Sequence, residues 1–171
     1  MEAGSVSALS YSDVLTRLIT NIFINSLLTV LYPTITEKIT NGNKDGFISD
    51  IEAGRDVLFF IIGPISLLFI LFPTEIVEIL YQRGSFDTTA TIRTASVVGT
   101  YAIGYAFIAI REIYARAFFS IKDSMTPTVN GIIGIVTNCI LSVILAKFLG
   151  MRGIALGTAI SNIIIAIFFI S

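Results

Sequence analysis

Histidine and tryptophan are absent from this chain, and cysteine occurs once, at Cys139. Without histidine and with a single thiol, the chain cannot build a zinc site, a disulfide or a Cys–His nucleophile. Cys139 lies in an apolar stretch and reads as a small packing residue. Charge is scarce as well: 13% of the residues are Asp, Glu, Lys or Arg, where a soluble domain carries about 25%. That deficit excludes an ordinary soluble fold. The net charge is −1, so no basic face points to nucleic acid and no polybasic run points to surface attachment. Met1 to Gly4 lacks a basic n-region and no cleavage site follows, so no signal peptide is expected.

What the chain has is apolar surface. Of its 171 residues 54% are hydrophobic, and the mean hydropathy is +0.87. The pattern predicts an all-α integral membrane protein, a helical bundle of about five spans in one domain. They run from about Ser7 to Leu31, Glu52 to Phe72, Thr88 to Phe118, Thr126 to Leu149 and Gly153 to Ile170. A helical extension reaches from the first span toward Lys38, and Asn41-Gly42-Asn43 breaks it. Ser49-Asp50-Ile51-Glu52 has capping-box spacing and starts the second helix. Gly63-Pro64, and either Gly99 or Gly104, are the expected bending points. Thr74 to Gln82 reads as a short amphipathic helix with Gly84 at its end. Asp87 caps the third long helix, and Thr126, followed by Pro127, the fourth. Gly153, Gly157 and Ser161 recur every four residues, a face for close helix contact.

Lys38, Lys44, Arg55, Arg111, Arg116 and Lys122 flank the first and third connections, and Arg83, Arg93, Lys147 and Arg152 the second and fourth. This excess places the first and third connections in the cytoplasm. The apolar run Ile163 to Ile170 at one end, and a helix entrance at the other, lead us to expect a piece of a longer protein.

The first span carries the strongest site. Ser10, Asp13, Arg17 and Thr20 follow at spacings of three or four, with Asn21 at the edge, so they share one helix face. A carboxylate or guanidinium facing lipid there costs roughly 3 kcal/mol or more. Such groups persist where they meet water, each other or a polar ligand. A self-satisfied salt bridge is the plainer alternative to a binding face. A second polar group, Asn138 and Ser142 with Thr158 opposite, offers oxygens of the kind a hard cation such as sodium takes. Helix–helix hydrogen bonding is its plainer role. Glu112 and Arg116, four apart, are expected to pair at the surface.

Several words in the chain resemble the MurJ (MviN) family of bacterial lipid II flippases, within the multidrug and oligosaccharide-lipid exporter superfamily. They are Gly4-Ser5-Val6-Ser7-Ala8-Leu9 with Tyr11, and Tyr81-Gln82-Arg83-Gly84-Ser85-Phe86. Arg116-Ala117-Phe118-Phe119-Ser120-Ile121-Lys122-Asp123 with Thr126-Pro127 follows, and then Gly153-Ile154-Ala155-Leu156-Gly157-Thr158. The resemblance implies a two-lobed bundle around a central cavity, with this chain supplying the second to sixth helices of the second lobe. It implies a multi-pass protein of the bacterial cytoplasmic (inner) membrane, carrying the undecaprenyl-linked peptidoglycan precursor across it by alternating access. The implied partners are that lipid-linked precursor, membrane lipids and a first lobe of the same chain. No nucleic acid, cofactor or enzyme chemistry is implied, and a coupling cation is left unspecified. In the family an acidic residue followed by Arg lines the cavity. Asp13 stands at the acidic position, and Val14 stands where Arg is expected. Arg17, about 300° and roughly 4.5 Å further on, is positioned to take the cationic role. The alternatives are a sibling exporter of other oligosaccharide lipids or drugs, and a non-transporting membrane scaffold.

Overall fold

The computed structural model describes residues 5–84 and 86–170. Gly4 and Ser85, which belong to two of the words above, lie outside the described residues, as do Met1, Glu2, Ala3 and Ser171. Among the described residues the regular structure is entirely helical. The elements are α1 (Ser5–Ile19), a π turn (Thr20–Asn25), α2 (Ser26–Thr40), α3 (Lys44–Leu71), α4 (Pro73–Tyr81), α5 (Thr88–Ala102), α6 (Tyr105–Ser120), α7 (Met125–Leu149) and α8 (Met151–Ile170).

α1, the π turn and α2 form one helix long and apolar enough to cross a membrane, as do α3, α7 and α8 separately. α5 and α6 pass the same test only together, bent by 46° at their junction. Gly104, one of the expected bending points, is the cap residue just before α6. A Cβ there would meet the Ala159 backbone at 3.1 Å, so the missing side chain lets α8 close on the bend. Gly99 remains inside α5, and Pro64 inside the continuous α3.

Three helix starts differ from expectation. α3 begins at Lys44, capped by the Asn43 side chain, which accepts from the Gly46 N–H at 2.9 Å. Ser49-Asp50-Ile51-Glu52 is therefore helix interior. Asp50 is engaged elsewhere, accepting from Lys38 Nζ at 2.9 Å across the hairpin. At α7 the cap is supplied by Asp123, and Thr126 lies inside the first turn. Oδ1 accepts from the N–H groups of Met125 and Thr126, and Oδ2 from the Thr126 hydroxyl at 2.6 Å. One carboxylate oxygen takes both end amides, and the other accepts the Thr126 hydroxyl, so that hydroxyl is committed as a donor to Asp123. α8 starts at Met151, because Gly150 turns the chain with φ +58°. Asp87 does cap α5, accepting from Ala90 N–H at 2.8 Å.

The interior is a seam of branched and small side chains. Ile24, Leu28, Ile35, Leu58, Ile62, Ala102, Tyr105, Ala109 and Ile113 pack together where α2, α3, α5 and α6 meet. A smaller cluster, Leu15, Val77, Ala95 and Val98, joins α1 to α4 and α5. Outside it large apolar residues face outward: Phe60 is 81% exposed and Phe148 80%. In water that surface would be a liability; against lipid tails it costs nothing. α7 and α8 lie closest, through the expected small face. A Cβ on Gly157 would meet Ser142 N at 2.8 Å, and one on Gly153 would run into the Leu145 carbonyl.

Candidate functional site

α1 turns one face inward through Ala8, Ser12, Leu15 and Ile19, all buried. The Ser12 hydroxyl donates to the Ala8 carbonyl at 2.7 Å, within the helix. The apolar periodicity therefore decides which face packs. The polar stripe is what is left over, pointing away from the packed core.

On that open face Arg17 Nε donates to Asp13 Oδ2 at 2.8 Å. The guanidinium side chain is 74% exposed and the carboxylate 51%, so the pair is not shielded by protein. Ser10 donates to the Val6 carbonyl and Thr20 to the Thr16 carbonyl, 3.0 and 2.9 Å long. Each hydroxyl keeps lone pairs toward the open side. Asn21 Oδ1 accepts from Asn25 Nδ2 at 2.9 Å. All five predicted residues thus lie along one surface of the first helix. Val14 is 48% exposed, on the same outward side as Arg17.

The second predicted group also assembles. Asn138 Nδ2 donates to Thr158 Oγ1 at 3.0 Å and toward Ser161 Oγ at 3.4 Å, while Ser142 donates to Asn138 Oδ1 at 3.0 Å. The network ties α7 to α8, with an amide N–H2 rather than an oxygen aimed across the interface. Among the described residues no cluster of three or more His, Cys, Asp or Glu could hold a metal ion.

One residue near this network was not singled out by sequence. Arg111 on α6 donates to Asn162 Oδ1 on α8 at 3.1 Å and to Glu112 at 2.8 Å. Arg111, Asn138, Cys139, Thr158 and Asn162 line a groove of about 500 Å³. The expected Glu112–Arg116 pair does not form. Glu112 is taken by its neighbour Arg111, and Arg116 turns instead to α2, its Cζ 5.9 Å from the centre of the Tyr32 ring. Spacing of four identifies possible partners on a helix, but not which competing cation wins. Arg83 folds back on the Ile79 carbonyl at 3.5 Å, and the rings of Tyr11, Tyr81 and Phe86 meet in tilted and edge-to-face contacts at the adjoining loop.

Membrane-length helices packed through small residues, one of them carrying an open acid–base pair, define an all-α bundle of the integral-membrane class. The chain matches the family described as "Lipid II flippase MurJ" over residues 1–171 and belongs to that family. It is 30% identical over 169 residues to a probable lipid II flippase MurJ of Borreliella burgdorferi, covering 99% of this chain and 33% of the relative. The corresponding protein of Vibrio cholerae is 28% identical over 161 residues, covering 94% of this chain and 31% of the relative. A solved structure described as lipid II flippase MurJ in an inward closed conformation superposes with a TM-score of 0.90 at 27% identity. It covers 99% of this chain and 36% of the solved one. The chain thus spans about a third of the length of the relatives it matches.

Proposed function

We propose that this chain forms one wall of a cavity through which a lipid-linked peptidoglycan precursor, lipid II, crosses the bacterial cytoplasmic membrane by alternating access. The observation that carries the reading is the Asp13–Arg17 pair, left open on a membrane-length helix in a chain of the MurJ family. A pyrophosphate needs a cation that stays charged at low dielectric and presents a fork of donors, which a guanidinium supplies. Asp13 holds Arg17 in place while no ligand is present and yields it when a phosphate competes. Ser10, Thr20 and Asn21 add polar contacts for sugars along the same face. Lipid tails remain in the bilayer, beside the exposed apolar sides of α3 and α7.

The remainder of the cavity belongs to a first lobe of the same chain, and membrane lipids are the other partners. No bond is made or broken, so neither enzyme activity nor a resident cofactor is part of the proposal. Asn138, Ser142 and Thr158 act in it as the hydrogen-bonded lock between α7 and α8 rather than as cation ligands.

The test is rescue of flippase-depleted cells by the full-length protein carrying Arg17→Ala, at expression equal to wild type. Loss of rescue is expected. Unchanged rescue would sink the cationic role of Arg17.

A further inference from the structure

The polar face of the first helix does not stop at Asn21. Asn25, Thr29 and Tyr32 continue it, and the π turn at Thr20–Asn25 aligns them. In an unbroken α-helix the twelve steps from Arg17 would leave Thr29 about 120° away from it. A π turn advances each residue by roughly 80° instead of about 100°, and five such steps bring Thr29 back to within about 30° of Arg17. Tyr32 then falls on the same side.

At the far end of this track Asn25, Leu28, Thr29, Tyr32, Pro33 and Arg116 line a cleft of about 230 Å³. The side chains there are rich in donors. Among the described residues the Arg116 guanidinium makes no hydrogen bond and no ion pair; its contact is the face of the Tyr32 ring. The Tyr32 hydroxyl makes no hydrogen bond either, and Asn25 commits one of its two N–H donors to Asn21. Glu112, the acid one turn from Arg116, is held by Arg111. A half-buried guanidinium with its donors unspent, beside a free phenol and an amide, is chemistry for an anion. The aromatic face holds the guanidinium plane in position before a ligand arrives.

We propose that Arg116, with Asn25 and Tyr32, forms a second anion subsite at the opposite end of the polar track from Arg17, and that it takes a phosphate group. Arg17 and Tyr32 are fifteen residues apart in the helix, about 22 Å along its axis, so the two guanidiniums mark separate stations. The inference rests on the reading of the chain as a carrier of a lipid-linked diphosphate. The phosphate comes from that substrate or from a bilayer phospholipid, and the experiment separates the two.

The full-length protein is placed in phosphatidylcholine nanodiscs, and undecaprenyl diphosphate binding is titrated for wild type, Arg17→Gln, Arg116→Gln, Arg116→Lys and Tyr32→Phe. The same titration is repeated with phosphatidylglycerol in the disc. Arg116→Gln is expected to weaken diphosphate binding at least tenfold without lowering the melting temperature, Arg116→Lys to recover part of it, and Tyr32→Phe to weaken it two- to fivefold. If the phosphate is a phospholipid's, Arg116→Gln instead abolishes phosphatidylglycerol binding and leaves diphosphate binding intact, which also supports the subsite. Wild-type affinity for both lipids in Arg116→Gln and Tyr32→Phe, with Arg17→Gln weakened, overturns the subsite and leaves the transport reading standing. If wild type binds no diphosphate at all, the transport reading falls and the inference with it.

Discussion

Asn138 on α7 and Thr158 on α8 are joined side chain to side chain at 3.0 Å, directly beside the place where Gly157 lets the two backbones touch. The hydrogen bond and the close approach support each other. A Cβ on Gly157 would push Ser142 away and lengthen the amide's reach, and without the amide the Thr158 and Ser161 hydroxyls would keep only backbone carbonyls of their own helix. Replacing Asn138 with Leu is expected to cost about 0.5–2 kcal/mol, the range for interhelical hydrogen bonds in membranes. Thermal unfolding of the full-length protein in detergent reads it. No change in melting temperature would mean that the network contributes nothing.

Gly153 is less tolerant than Asn138. Its missing Cβ sits against the Leu145 carbonyl backbone, which cannot swing away as a side-chain tip can. Gly153→Val should therefore separate α7 from α8 and destabilise the protein by roughly 1–3 kcal/mol, as overpacking does. Gly131→Ala, where nothing lies within 4 Å, serves as control and is expected to be silent. Equal melting temperatures for the two variants would contradict the packing described here.

Arg17 and Asp13 should separate function from stability. Both are largely exposed, and exposed pairs contribute about 0–1 kcal/mol. Asp13→Asn and Arg17→Ala are expected to unfold within a degree or two of wild type while failing to rescue flippase-depleted cells. A variant that lost transport and stability together would mark the pair as structural.

The Asp123 carboxyl is held below the ordinary carboxylate range, chiefly by the Thr126 hydroxyl and then by the backbone N–H groups of Thr126 and Met125. A lowered folded-state pKa means its contribution is present above the ordinary value, near 3.8, and is lost as pH falls through the folded one. Thr126→Val should raise that pKa. Asp123→Ala should speed hydrogen exchange at the first amides of α7 at neutral pH. Equal exchange rates in Asp123→Ala and wild type would show that the cap is idle.

The all-helical architecture with its membrane-length helices was legible because it rests on length and on period, both of which survive translation into a helix. The stripe at Ser10, Asp13, Arg17, Thr20 and Asn21 was legible for the same reason. The helix starts were less so. Asn43, Ser49, Asp123 and Thr126 are all competent caps, and the choice among them is made by tertiary partners such as Lys38, which claims Asp50. The π turn left no signature in the apolar pattern, so the continuation of the track to Tyr32 could not be seen beforehand. The Glu112–Arg116 pairing failed because two cations compete for one Glu112, and the winner is decided by where α8 and α2 lie.

The helix from Val6 to Thr40 counts 35 residues, about 52 Å of rise, while a bilayer core is about 30 Å thick. It must lean or project, and its excess lies beyond the π turn on the side of Lys38. Lys38 is about 20 Å of helix from Asn25, so a swing of about 10° at the π turn displaces that ammonium by roughly 3–4 Å. Lys38 is bonded to Asp50 of α3, so the swing would be handed on to the next helix. The π turn thus lies where a tilt of the long helix would be levered onto α3 through Lys38 and Asp50.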